Sequence, residues 1–191
     1  MNGYLFKNVF KTSPKVGIEK QLQVNAFINF IIHYSIKMTF RRLNNDELAA
    51  LEKPFINFLV ANTITGDDWK KMKTDEPERA SKLVDIFSDF IFEERLRKVQ
   101  FVQHHAPKEL RLFKCTDEKM LLIGVQVAEN STIDFTKEAD LSKISADTEG
   151  VQLYRAEKKY TRGREREIFE LLENGCKISE NSWFDTLAAA F

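Results

Sequence analysis

"VQFVQHHAPKELRLFKCTDEKMLLIGVQV", residues 99–127, decides the fold class. Upstream of it, apolar residues recur at helical spacing. Inside it the period falls to two. Val99 and Phe101 alternate with polar neighbours, Ala106-Pro107-Lys108-Glu109 is turn-like, and Leu110, Leu112 and Phe113 follow. Thr116-Asp117-Glu118-Lys119 makes a second turn. Met120 to Val127 is almost wholly apolar, which suits a strand covered on both faces. Strands joined by turns this short form an antiparallel meander. The first hairpin places Cys115 opposite about Gln100.

Working upstream, three helices come first. Asn44 with Glu47 three residues on is a capping signature, and Leu48, Leu51, Phe55, Phe58 and Leu59 then form one apolar stripe. Asn62 ends that stripe. Pro54 lies beside the stripe and should kink or split the helix, because it has no N–H to give. Thr65-Gly66-Asp67-Asp68 caps a short second helix carrying Trp69 and Met72. Thr74-Asp75-Glu76-Pro77 opens a third, with proline in its permitted first turn. Its core face runs from Ala80 to Ile91. Glu94 would fall within the same apolar arc, so the helix is expected to stop near Phe92, which itself lies on the polar side and wants cover.

Downstream, residues 129–149 are polar and read as loop, with a short helix at Lys137–Ile144. Val151, Leu153 and Tyr154 suggest another strand. Arg164 to Glu173 reads as a helix ending at Asn174-Gly175, and Ser182 caps a last helix that runs to the end of the chain. The expected class is α+β: a helical N-terminal half, then an antiparallel β-meander with C-terminal helices.

Composition agrees with a folded protein. Of 191 residues, 43% are hydrophobic, 30% charged, and 16 are Phe, enough ring area to build a core. The net charge is zero, but residues 1–37 hold five Lys and one Glu, so a basic leader precedes a mildly acidic body. The leader is too short and too interrupted for a membrane span, has no small-residue cleavage site, and contains no Arg. Phe, Tyr, Ile, Asn and Lys make up 20 of its 37 residues, the bias of A/T-rich codons. A start codon set upstream of a true one at Met38 is favoured over a genuine N-terminal segment. Residues 1–37 are thus expected to lie outside the fold, and 38–191 to form a single α+β domain. Two cysteines without CxxC or His–Cys spacing make no disulfide or metal framework, and the cytoplasm is the expected compartment.

Three constellations could carry chemistry. The stretch "YRAEKKYTRGRER", Tyr154 to Arg166, interleaves Arg155, Lys158, Lys159, Arg162, Arg164 and Arg166 with Tyr154 and Tyr160. Cations that meet phosphates beside rings that stack on bases suit nucleic-acid or anion binding. Alternating charge is also what a solvated surface looks like. Asp85, Asp89 and Glu93 line one side of the third helix with Glu78, as a cation site or simply a solvated face. His104 and His105, adjacent on a strand, point to opposite faces and cannot chelate together. No P-loop, dinucleotide turn, GxSxG or HExxH occurs.

"RRLNNDELAALEKPFINFLVANTITGDDW", "FSDFIFEERLRKVQF" and "IFELLENGCKIS" resemble a family of short, uncharacterised Bacteroidota proteins classed as a domain of unknown function, from Met38 onward. Such families continue the first helix unbroken, so Pro54 is a departure. The resemblance implies no activity, cofactor or catalytic residue. The first functional expectation is therefore a non-catalytic, cytoplasmic protein-interaction module with no cofactor, no metal and no membrane contact. The alternative is nucleic-acid or anion binding by Arg155, Lys158, Lys159, Tyr160, Arg162, Arg164 and Arg166. The third is a cation-dependent enzyme built on Asp85, Asp89 and Glu93.

Overall fold

A computed structural model describes residues 39–137, 150–180 and 183–190. The leader, most of the expected helix at 137–144 and the Ser182 cap lie outside the described residues. The chain belongs to the α+β class: helices in the N-terminal half, a five-stranded antiparallel sheet, and C-terminal helices. Its contacts group into two compact units, one up to Phe92 and one from Glu93 onward.

The first unit is built on helices α1 (Asn45–Ala50), α2 (Glu52–Ala61), α3 (Gly66–Asp75) and the start of α4 (Pro77–Leu96). Asn44 and Glu47 make a reciprocal capping box at the start of α1, and Thr65 and Asp68 make another at α3. The expected first helix is split. Leu51 leaves helical geometry at φ −110° and ψ 19° and is wholly buried, and Pro54 becomes the third residue of α2. There its missing N–H falls in the first turn, where no intrahelical partner is needed. The core is aromatic. Phe55 meets the Phe87 ring edge-on at 4.9 Å and Trp69 at 5.2 Å, while Phe58 lies 5.3 Å from Phe87.

Residues 39–43 strap along α4. Asp89 accepts from the N–H groups of Thr39 and Phe40 at 2.9 and 3.0 Å. Arg42 pairs with Asp85 at 3.0 Å and donates to Ser81, and the Leu43 N–H donates to the buried Ser88 hydroxyl. Ser81, Asp85, Ser88, Asp89 and Phe92 recur at helical spacing and form one face. Phe92 is therefore covered within the chain: it is 2% exposed, with Phe40 at 5.8 Å and the Arg41 guanidinium at 5.1 Å from its ring. The expectation that α4 stops at Phe92 is overturned. Glu93 and Glu94 both pair with Arg97, at 2.8 and 2.9 Å, so neither carboxylate is buried alone and the helix continues to Leu96.

The second unit holds strands β1 (Phe101–Ala106), β2 (Glu109–Cys115), β3 (Lys119–Val127) and β4 (Val151–Lys159), helix α5 (Arg164–Glu173), strand β5 (Lys177–Ser179) and helix α6 (Trp183–Ala190). The sheet order is β4-β3-β2-β1-β5, all antiparallel. The Cys115 N–H donates to Gln100 O at 2.8 Å, the hairpin register expected from the turn. On one face Leu110, Leu112, Ile123 and Val125 pack with Phe184 and Leu187 of α6. Ile133 and Phe135 join them, so the polar 129–137 segment contributes two core residues that its composition concealed. The other face carries α5, whose Ile168 and Phe169 are buried. Helix α5 ends where Gly175 adopts φ +92°, and the Cys176 N–H closes back on Leu171 O.

On that second face the Tyr154 ring covers Gly124 and donates its hydroxyl to Glu109 at 2.8 Å. A Cβ on Gly124 would sit 1.9 Å from the Tyr154 ring. Replacing a strand glycine normally gains up to about 1 kcal/mol. Here displacement of the ring outweighs that gain, and Gly124→Ala is expected to lower unfolding stability by about 1–3 kcal/mol. Urea denaturation checks this. An unchanged or raised midpoint contradicts it.

Candidate functional site

The basic run starts inside β4, which extends five residues beyond Tyr154, then crosses a short loop at 160–163 and enters α5. Its cations do not form one surface. Arg155 donates to Ala188 O at the end of α6, and its neighbours on β4 alternate between the two sheet faces. Lys158 pairs with Glu167 at 2.9 Å. Arg162 and Arg166 converge on Glu170. Lys159 is exposed and has no partner among the described residues. The Tyr160 hydroxyl donates to Thr116 O at 3.1 Å, so this ring is tied down rather than presented; burial pushes its hydroxyl pKa up.

Arg164 points inward. Its side chain is 12% exposed, and the guanidinium donates to the carbonyls of Leu96, Arg97, Val99, Cys115 and Thr116. Three of these close the end of α4 and the approach to β1; the other two close β2. Glu167 is the matching anion. Its residue is 4% exposed, and it accepts from the N–H groups of Thr161 and Arg162, from the Thr161 hydroxyl and from Lys158. Burial pushes its carboxyl pKa up, but these four donors outweigh burial and hold it down at about 2.

Between α5 and the sheet lies a groove of about 310 Å³. Phe113, Met120, Leu122, Ala156 and Leu171 give it an apolar floor, and Lys158, Glu167, Glu170 and Asn174 form the polar rim. It lies beside β4, which is one of the two edge strands of the sheet among the described residues. The sequence reading did not find this groove. Its only sequence signal is the apolar pair Met120 and Leu122 on β3, which looks like ordinary core.

The remaining candidates are engaged locally. Asp85 and Asp89 hold the 39–43 strap, and Glu93 pairs with Arg97. Among the described residues, no three His, Cys, Asp or Glu side chains are placed to hold a metal ion. His104 faces Arg111 and His105 faces Leu110 across the β1–β2 ladder, and His105 Nδ1 donates to Phe135 O at 2.8 Å. Glu109 gathers Arg111 at 2.6 Å, Gln126 at 2.9 Å and the Tyr154 hydroxyl, a polar network the sequence reading missed because its members are spread over three strands. Burial raises the thiol pKa of Cys115 to about 11 and also raises that of Cys176, which makes both poor nucleophiles. No helix among the described residues is long and apolar enough to cross a membrane.

The Glu167 contacts imply a pH signature. Its folded pKa, about 2, lies below the unfolded value of about 4.5, so its contribution is fully present above pH 4.5 and lost as pH falls toward 2. Glu167→Gln is expected to flatten the fall in urea-unfolding stability between pH 4.5 and 2. A slope equal to wild type contradicts the assignment.

No curated protein and no solved structure matches the chain. A family described as a family of unknown function (DUF6495) matches residues 38–191. That match covers most of the chain, and the protein is a member of this family of unknown function.

Proposed function

We propose that the protein is a non-catalytic, cytoplasmic interaction module that binds an extended acidic segment of another protein along the outer edge of β4. The observation that carries this is the edge itself. β4 is nine residues long and pairs with β3 on one side only among the described residues. An unpaired strand edge offers a row of backbone donors and acceptors to an added strand. The residues along it, Arg155, Lys158 and Lys159 against Glu157, give it a basic excess. Like charges directly opposite one another destabilise a ladder, so this edge disfavours a second copy of itself and favours an acidic strand.

Nucleic-acid or anion binding by Arg155, Lys158, Lys159, Tyr160, Arg162, Arg164 and Arg166 is the second reading. It has less support, because most of these groups already serve protein oxygens, and a phosphate would have to displace Glu167 or Glu170 to reach Lys158, Arg162 or Arg166. Catalysis by Asp85, Asp89 and Glu93 has less again, since Asp85 and Asp89 hold the strap and Glu93 holds Arg97.

The test is a titration of isotopically labelled full chain with a ten-residue peptide of alternating Glu and Thr, followed by amide NMR. Shifts concentrated on residues 151–159 are expected, and they weaken as salt rises. Shifts there with a single-stranded oligonucleotide but not with the peptide would overturn the proposal.

A further inference from the structure

The groove beside β4 is not needed to hold a peptide backbone, yet it opens where an added strand would lie. The floor residue nearest the edge is Ala156, paired with Leu122 across the β3–β4 ladder. A strand added outside β4 would place a side chain about 5 Å from the Ala156 Cβ on the same face. Alanine is small enough to let that side chain lean across it toward Leu122, Phe113 and Leu171. The Lys158–Glu167 pair spans from β4 to α5 on one flank of the mouth. A cavity of about 310 Å³ is at the lower end of the range of ligand pockets and has room for one aliphatic side chain.

We propose that this groove is a specificity pocket for a single leucine-sized apolar side chain, carried by an acidic strand that adds antiparallel to β4 with that residue opposite Ala156. The proposal rests on the edge-binding reading above and adds the sequence that edge selects. Antiparallel addition continues the hand of the existing sheet. The partner, read from its N-terminus, then meets Lys159, Lys158, Glu157, Ala156 and Arg155 in turn. The complementary pattern is acid, acid, neutral, apolar, acid. A second copy of β4 cannot supply it, since that strand carries Lys158, Lys159 and Arg155 among its own nine residues.

The probes are three ten-residue peptides that share the core Glu-Glu-Thr-X-Glu, with X as Leu, Ala or Trp, titrated against the full chain by amide NMR. The Leu peptide is expected to bind about tenfold tighter than the Ala peptide, the value of burying one such side chain. The Trp peptide is expected to fall back toward the Ala peptide, because it overfills the groove. Ala156→Phe, which fills the mouth, is expected to abolish the preference for Leu while the shifts along 151–159 remain. Should that variant fail to fold, the three peptides on the wild-type chain decide the matter alone. Equal affinities of the Leu and Ala peptides, with shifts along 151–159 intact, overturn the pocket and leave edge binding standing. Absence of those shifts with every peptide overturns both, as does a dimer in sedimentation whose formation protects the 151–159 amides.

Discussion

One buried guanidinium organises the second unit. Arg164 is the first residue of α5, a position where the helix dipole disfavours a cation. It is nonetheless drawn inward, because five carbonyls converge on it: Leu96 at the end of α4, Arg97 and Val99 on the way to β1, and Cys115 and Thr116 where β2 turns toward β3. The last carbonyls of a helix have no intrahelical donors and carry its negative end. A planar fork with five donors can meet several of them at once, which a lysine cannot. Glu167 repeats the solution with opposite sign, gathering the N–H groups of the loop that delivers Arg164. The α4 end, the sheet corner and the α5 start are fixed together by these two residues, and the groove takes its shape from where they hold α5.

This arrangement changes the meaning of the basic stretch. Six cations in thirteen residues look like an electrostatic footprint. In the fold, Arg164 serves carbonyls, Lys158 serves Glu167, and Arg162 and Arg166 share Glu170. The charge that remains is modest and lies along a strand edge. Lys and Arg on an edge also guard a monomer against self-association. The same residues can thus discourage pairing with a copy and accept an acidic strand.

Much of the fold was legible because its signals are local. The capping boxes at Asn44 and Thr65, proline at the first position of α4, the glycine after α5 and the change of period at Val99 each depend on a few neighbouring residues. The errors came where distant residues decide. Glu94 looked unaffordable on its helical wheel, but Arg97 one turn on pairs with it. Phe92 looked uncovered until the strap brought Phe40 and Arg41 onto it. Ile133 and Phe135 stood in a polar segment with no periodicity to mark them as core. The three residues of β5 are too few to show a period at all. The functional surface was the least legible part, since it joins β4, β3 and α5, and no single stretch of chain contains it.

The clamp at Arg164 is tested most directly by urea unfolding of Arg164→Lys, which keeps the charge and removes the fork. Loss of about 2–3 kcal/mol is predicted, because buried carbonyls are left without donors. Stability within about 0.5 kcal/mol of wild type, the usual range for a surface substitution, would contradict the account.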